Sequence, residues 1–225
     1  MEEIVGRPGG VGIGRGQRVR LTVEYLLLFF VAVIGYAVAH IPGGPIPVLL
    51  ALAGLAFWYL RRQPDFDRAA LWRPAALRGQ LPAMLALWAL AIVVAIGALA
   101  VFAPDRLFDL PRQRPAIWVA VMIFYPLFSV YPQEMVYRAF LMHRYAPVFG
   151  TGRGLVAASA AAFGCAHVIF GNVLSVVLTL VGGALFASRY RRTRSLFTVS
   201  VEHALYGLLV FTVGLGQYFY HGAGS

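Results

Sequence analysis

Three stretches of this chain set ionisable side chains inside runs that are otherwise apolar. Glu134 and Arg138 lie in Tyr131–Arg144 (Y-P-Q-E-M-V-Y-R-A-F-L-M-H-R), His167 closes F-G-C-A-H, and His203 sits in the last long apolar run. An ionisable group at membrane depth is costly, which makes each a candidate functional residue. Glu134 and Arg138 are four residues apart and share a helix face. The guanidinium favours the carboxylate form while desolvation opposes it, and a glutamate poised this way can act as a general base. The same pair can equally act as a neutralised clamp between helices. A lone histidine on an apolar helix is more often a hydrogen-bonded core residue than a catalytic one. Two of them with a glutamate can instead hold or activate a water. Two histidines and a glutamate are also a ligand set for zinc, although the chain has no H-E-x-x-H helix.

Depth connects the three stretches. Glu134 lies ten residues from Arg144, His167 fourteen from Arg153 and His203 eight from Ser195. At about 1.5 Å per residue these are depths of about 15, 21 and 12 Å. All fall near the middle of a hydrocarbon core about 30 Å thick, so a shared polar cavity is expected. Glu202 adjoins His203 but points about 100° away around a helix; it can pair with an arginine or orient a histidine, and a helix-joining role is expected for it. Asn172 reads as a turn residue. Cys165 is the one cysteine, so no intrachain disulfide forms. It precedes His167 by two positions, a spacing that does not make helix neighbours, and reads as a small buried thiol.

The elements that must carry these groups follow from composition. The 225 residues are 60% apolar and 12% charged, with mean hydropathy +0.74, against about 25% charged residues in soluble domains. The expected fold is all-α, a polytopic transmembrane helix bundle of about seven spans near 21–39, 46–60, 81–103, 117–145, 154–170, 173–188 and 195–214. The net charge of +10 comes from 19 arginines without a lysine. They cluster at 7–20, 61–78, 144–153 and 189–194, which places the N-terminus and these segments on the cytoplasmic side. That distribution explains the basic balance without a nucleic-acid partner. The Gly/Arg-rich tail, 1–20, lacks phosphate-loop spacing. Ala37-Val38-Ala39 resembles a signal-peptidase site, but Glu24 and the polytopic chain that follows make 21–39 a retained anchor. His40 and His143 read as interfacial, and His221 carries no role. Leu71, Trp72 and Leu77 outline a short interfacial helix. Pro126 and Pro132 are expected to kink the fourth span, and the small residues Ala157–Ala162, Gly164, Gly182 and Gly183 to let the fifth and sixth approach closely. The organisation is a tail at 1–20, N-terminal helices and loops at 21–116, a helical core at 117–216 and a tail at 217–225.

Glu134-Met-Val-Tyr-Arg138, then Phe163-Gly-Cys-Ala-His167, then His203 on a later span, resemble the CAAX protease and bacteriocin-processing family (CPBP, or Abi). That family comprises polytopic intramembrane proteases and includes the type II CAAX prenyl endopeptidases. Its pattern is E-E-x-x-x-R, F-x-x-x-H and H-x-x-x-N on separate helices, and the resemblance covers about 117–216. It implies an endopeptidase acting on a membrane-associated peptide or protein, lipidated or not, within the lipid bilayer of a bacterial-type cytoplasmic membrane. Water would be activated against a peptide carbonyl, with Glu134 as base, His167 as its water-positioning partner and His203 as a second polariser or ligand. Arg138 would fix Glu134, and Gln133 would orient the substrate. If a metal takes part, the resemblance implies a divalent ion such as zinc on Glu134, His167 and His203.

Two positions depart from the family's pattern. Gln133 stands at the first glutamate, usually assigned as the base, and an amide cannot take that proton. Glu134 is displaced from that position by about 100° and 1.5 Å and replaces it only if the helix is rotated, as by Pro132. Gly207 stands where the family has an asparagine, for which the resemblance implies an oxyanion-stabilising role; Gln133, Tyr206 and Asn172 are the candidate substitutes. These departures keep open a catalytically inactive relative that binds a peptide or a membrane partner. A small transporter relaying protons through Glu134 and the histidines is a further alternative, disfavoured by the lack of a half-chain repeat.

Overall fold

Apolar runs of this length can satisfy their backbone groups in a bilayer only as helices, and the chain folds accordingly. The computed structural model describes residues 13–39 and 44–219. His40, the loop positions 41–43, tail residues 1–12 and the C-terminal 220–225 with His221 lie outside the described residues. Seven apolar helices appear: α1 (Arg15–Ala39), α2 (Ile46–Arg61), α3 (Leu81–Phe102), α4 (Pro115–Arg144), α5 (Arg153–Phe170), α6 (Val173–Thr193) and α7 (Leu196–Val213). Six are long and apolar enough to cross a membrane; α2, with 16 residues, is shorter. No strand occurs among the described residues. Large apolar side chains of α1, α3 and the first half of α4 remain exposed, Phe102, Val93 and Leu127 among them, as expected of faces turned to lipid. The protein is an integral membrane protein built as an all-α polytopic bundle.

The arginine-rich segments meet at one end of the bundle. Arg144 at the close of α4 grips Glu24 of α1. Arg73, in the α2–α3 loop, donates to the Arg194 carbonyl at 3.2 Å, and the Ser195 hydroxyl donates to the Arg73 carbonyl at 2.9 Å. At the other end the Phe108 amide donates to the Val213 carbonyl at 3.0 Å. Gly214 ends α7 at φ +115°, and a Cβ there would meet the Arg106 carbonyl oxygen at 1.9 Å, so the turn requires glycine.

The α2–α3 loop departs from the expected interfacial helix. It forms a 3₁₀ turn at Arg68–Leu71 and a single helical turn at Ala75–Arg78. Pro74 disfavours helical backbone at Arg73 and has no N–H to continue a hydrogen-bond ladder, so the two pieces do not join. Trp72 packs on Phe197, their ring centres 4.5 Å apart.

α4 is the central element, touching α2, α5, α6 and α7. Its prolines act through π-helical turns at Pro126–Val130 and Met135–Phe140. Pro126 cannot donate to the ladder, which is one recognised cause of such local rearrangement. Each wide turn changes which residues of α4 face inward. α5 and α6 approach closely at small residues, as expected: a Cβ on Gly164 would meet Leu180 at 2.5 Å, and one on Gly183 would meet the Ala160 backbone at 3.0 Å. α7 is tied to α3 by Trp88, whose indole N–H donates to the Leu205 carbonyl at 2.9 Å, and to α4 by Trp118, which donates to the Thr212 hydroxyl at 3.1 Å.

Candidate active site

The second half of α4 turns Glu134 and Arg138 wholly inward; both have no exposed surface. The wide turn at Met135–Phe140 begins beside Glu134, whereas Gln133, one position earlier, is half-buried and donates to the Ser129 hydroxyl of its own helix at 2.7 Å. Glu134 thus takes the inward place and Gln133 does not.

α7 brings His203 to Glu134. The imidazole Nδ1 lies 2.8 Å from the carboxylate Oε1, and the two residues are 69 positions apart in the chain. A carboxylate at Nδ1 selects the tautomer that carries its proton there and leaves Nε2 as the acceptor in the neutral ring. The His203 ring stacks on Phe186 of α6, centres 4.7 Å apart and 20° between planes. It also stands edge-on to Phe163 of α5 at 5.4 Å. Two aromatic faces therefore hold the imidazole plane that the carboxylate orients.

Arg138 places its Nε 3.1 Å from the other carboxylate oxygen, Oε2, but without the alignment of a hydrogen bond. Neither Oε2 nor any guanidinium nitrogen of Arg138 has a hydrogen-bond partner among the described residues. The guanidinium instead lies over Phe163, 4.3 Å from the ring centre, and 5.5 Å from that of Phe186. These are cation–π contacts in a desolvated setting, where they are strongest. The result is a neutral Arg–Glu pair in which one carboxylate oxygen is engaged by His203 and the other retains its lone pairs.

His167, in the last turn of α5, sets its ring 4.7 Å from that of Phe163, centre to centre. Its Nδ1 is bonded to the Phe163 carbonyl at 2.8 Å. Since a carbonyl only accepts, Nδ1 carries the proton and Nε2 is the free acceptor. Both imidazoles pack on the Phe163 ring, and His167 makes no hydrogen bond to Glu134 or His203 among those of the described residues. Glu134, Arg138 and His203 are in contact, and His167 is linked to them through Phe163.

This arrangement does not fit the zinc set. Among the described residues no three His, Cys, Asp or Glu side chains are grouped so as to hold a metal ion. Glu134 Oε1 faces His203 Nδ1, the nitrogen that carries the proton, rather than converging with it on a common point.

The oxyanion candidates also fall elsewhere. Asn172 caps α6, accepting from the Ser175 amide at 2.8 Å and donating to the Tyr218 carbonyl at 2.8 Å, as a turn residue would. The Tyr206 ring lies near Phe186, 6.0 Å centre to centre, and Gln133 is bound to Ser129. The residue that reaches His203 is Tyr125 of α4, whose hydroxyl is 3.4 Å from His203 Nε2. It lies over Gly207: a Cβ built there would meet Tyr125 Oη and Cε1 at 2.3 Å each. Sequence reasoning missed Tyr125 because it is nine residues before Glu134, which at about 100° per residue puts it about 180° away on a regular helix. The wide turn at Pro126–Val130 lies between them. Pro126 was the available signal.

Glu202 faces away from the site, as its position beside His203 implied. It accepts from Arg189 Nε at 3.0 Å and Nη2 at 2.7 Å, and Arg189 also donates to Gln80 at 2.5 Å. Cys165 is half-buried and unpaired in any disulfide.

Helices carrying a buried Glu–His contact inside an apolar bundle define a polytopic membrane protein with an intramembrane polar site. Residues 114–209 match the family model for type II CAAX prenyl endopeptidase Rce1-like proteins. That is the family the three motifs resemble, and the matched segment contains Tyr125, Glu134, Arg138, His167, His203 and Gly207. No curated protein and no solved structure matches the chain.

Proposed function

We propose that the protein is an intramembrane endopeptidase that hydrolyses a peptide bond of a membrane-associated protein or peptide with water activated by Glu134. The observation that carries this reading is the 2.8 Å contact from His203 Nδ1 to Glu134 Oε1 on a carboxylate whose Oε2 has no hydrogen-bond partner among the described residues. The match to a peptidase family over the same helices supports it. Arg138 lies beside Oε2, its Nε 3.1 Å away, and sets a positive charge against the carboxylate. His203, held by Glu134, retains an orientation fixed by Phe186 and Phe163. His167 Nε2 is the acceptor that positions the attacking water.

In this reading a water gives its proton to Glu134 Oε2 as its oxygen bonds to the carbonyl carbon of the substrate. The carbonyl oxygen becomes an oxyanion. Collapse of that intermediate re-forms the carbonyl and breaks the C–N bond, and the leaving nitrogen takes the proton from Glu134. The products are a carboxylic acid and an amine, with the enzyme restored. The substrate class is a peptide reachable at membrane depth, lipidated or not, and the setting is a cytoplasmic-type membrane.

The test uses purified protein in proteoliposomes with quenched fluorescent peptides. Glu134→Ala and His167→Ala are expected to lower cleavage by about 10²–10⁴-fold, the usual contribution of a general base. Cleavage by either variant at the wild-type rate refutes the assignment. Peptide binding without cleavage, unchanged by Glu134→Gln, identifies the inactive binding relative instead; Gln133 turned to Ser129 is the observation that favours it.

A further inference from the structure

The side-chain position of Gly207 is occupied by another residue's phenol. His203 and Gly207 are four residues apart on α7, so a side chain at 207 would lie beside the His203 ring. Glycine leaves that volume free, and Tyr125 enters it from α4: its Oη, Cζ and Cε1 lie 2.3, 2.6 and 2.3 Å from where a Cβ would stand. The ring is held there by edge-on contact with Phe211, centres 5.2 Å apart, and it meets the His203 ring edge-on at 6.3 Å. Its hydroxyl is then 3.4 Å from His203 Nε2. Glycine at 207 and tyrosine at 125 are thus one spatial feature: any side chain at 207 excludes the phenol from this place.

We propose that Tyr125 is a catalytic hydrogen-bond donor of the site, supplying from α4 the polar group that position 207 of α7 lacks. This rests on the endopeptidase reading above. With the Nδ1 proton of His203 directed at Glu134, Nε2 accepts and the Tyr125 hydroxyl donates. At 3.4 Å that contact is longer than a normal hydrogen bond, so it is weak and readily exchanged. When a peptide carbonyl occupies the site, the same O–H turns to the oxygen on which negative charge develops. No proton is transferred by Tyr125: its O–H bond is intact before and after, and the base chemistry remains with Glu134. A donor aimed where charge develops acts chiefly in the transition state, so its loss falls on kcat rather than KM.

Three variants test this in proteoliposomes. Tyr125→Phe keeps the ring packing and removes only the donor; kcat is expected to fall about 10²-fold, as for other donors of this kind, with KM held within about twofold. Tyr125→Ala is expected to be at least as impaired, and to make room at 207. Tyr125→Ala combined with Gly207→Asn moves an amide donor to the α7 side, and its kcat is expected to exceed that of Tyr125→Ala by about tenfold or more, against the 10²-fold such a donor supplies. Wild-type kcat in Tyr125→Phe, or a double variant no better than Tyr125→Ala, overturns the proposal. A readout independent of turnover is the ¹⁵N NMR shift of His203. Tyr125→Phe is expected to move Nε2 toward an unbonded acceptor while Nδ1 stays at its wild-type value, and an unmoved Nε2 overturns the Tyr125 contact. If the wild-type protein cleaves nothing, the endopeptidase reading and the oxyanion role fail together, while the shift still decides whether Tyr125 holds His203.

Discussion

Among the described residues the bundle contains three arginine–glutamate pairs, and they are built differently. Arg189 and Glu202, joining α6 to α7, form a two-pronged bond at 3.0 and 2.7 Å, with Gln80 taking a third donor. Arg144 and Glu24, joining α4 to α1, form another at 2.9 and 2.8 Å, with Tyr59 and Tyr145 completing the cluster. Arg138 and Glu134 are as deeply buried as any residue in the protein, yet the arginine makes no hydrogen bond among the described residues and stacks on Phe163 and Phe186 instead. Two-pronged pairs saturate their donors and acceptors and tie helices together. The third pair spends its carboxylate on a histidine and leaves an oxygen without a bond. Buried polar groups are satisfied in the great majority of cases, so the carboxylate oxygen left without a partner among the described residues sets this pair apart from the two clamps.

Removing the charge from the saturated pair gives the largest stability effect that leaves the site alone. Glu202→Gln strands a buried guanidinium and is expected to lower unfolding free energy by about 3 kcal/mol. Chemical denaturation in mild detergent measures this. Arg189→Met together with Glu202→Met, which removes both charges, should recover most of the loss. Cleavage per folded molecule should stay near wild type in both, in contrast to the loss expected of Glu134→Ala. A Glu202→Gln protein that folds but does not cleave would erase the distinction between a clamp and a site.

How much of this was readable beforehand depends on whether regular helix geometry applied. The all-α membrane fold and the seven apolar helices followed from composition and run length, since the bilayer leaves few alternatives. The Glu134–Arg138 pair followed from its four-residue spacing, which survives the wide turn that begins at Met135. The depth count correctly grouped His203 with Glu134. It could not say that His203 rather than His167 makes the contact, because rotation about each helix is set by packing. Tyr125 was illegible for a sharper reason. A π turn alters angular position by most of a residue, so a side chain placed on the far face by the 3.6-residue period arrives at the site. At the second wide turn, which begins at Met135, the inward position belongs to Glu134, while Gln133 bonds Ser129 of its own helix.

The half-exposed pair should give a smaller effect than the buried one. Glu24 and Arg144 retain 27% and 23% side-chain exposure, so water compensates part of the loss. Glu24→Gln is expected to cost about 1 kcal/mol, with limited proteolysis showing earlier release of α1, because Tyr145 and Tyr59 keep Arg144 partly bonded. A loss as large as that of Glu202→Gln would show that burial is not what separates the two clamps.

The smallest effect belongs to a fourth ion pair, Asp67 with Arg73, at the mouth of the α2–α3 loop. The Arg73 guanidinium beside Asp67 holds its carboxyl below the usual carboxylate range, and the pair is exposed, at 45% and 35% of the side chains. A carboxyl with a lowered folded-state pKa adds stability that is fully present above its unfolded value, about 3.9. That stability is lost as pH falls through the lowered folded value. Asp67 Oδ1 also accepts from the Ala69 amide, a cap that asparagine can reproduce, so Asp67→Asn removes the charge and keeps the turn. The wild-type advantage over Asp67→Asn should be less than about 0.5 kcal/mol after solvent screening. It should be constant from neutral pH down to about pH 5 and shrink below that. Paired thermal-unfolding curves across that range measure it. An advantage that grew on acidification would place Asp67 outside the ion pair, and one as large as that of the buried pairs would overturn the ranking by burial. Held together by Arg73, which also bonds the Arg194 carbonyl, this loop fixes the α6–α7 turn from outside. The weakest pair therefore acts at the base of the helix that carries His203.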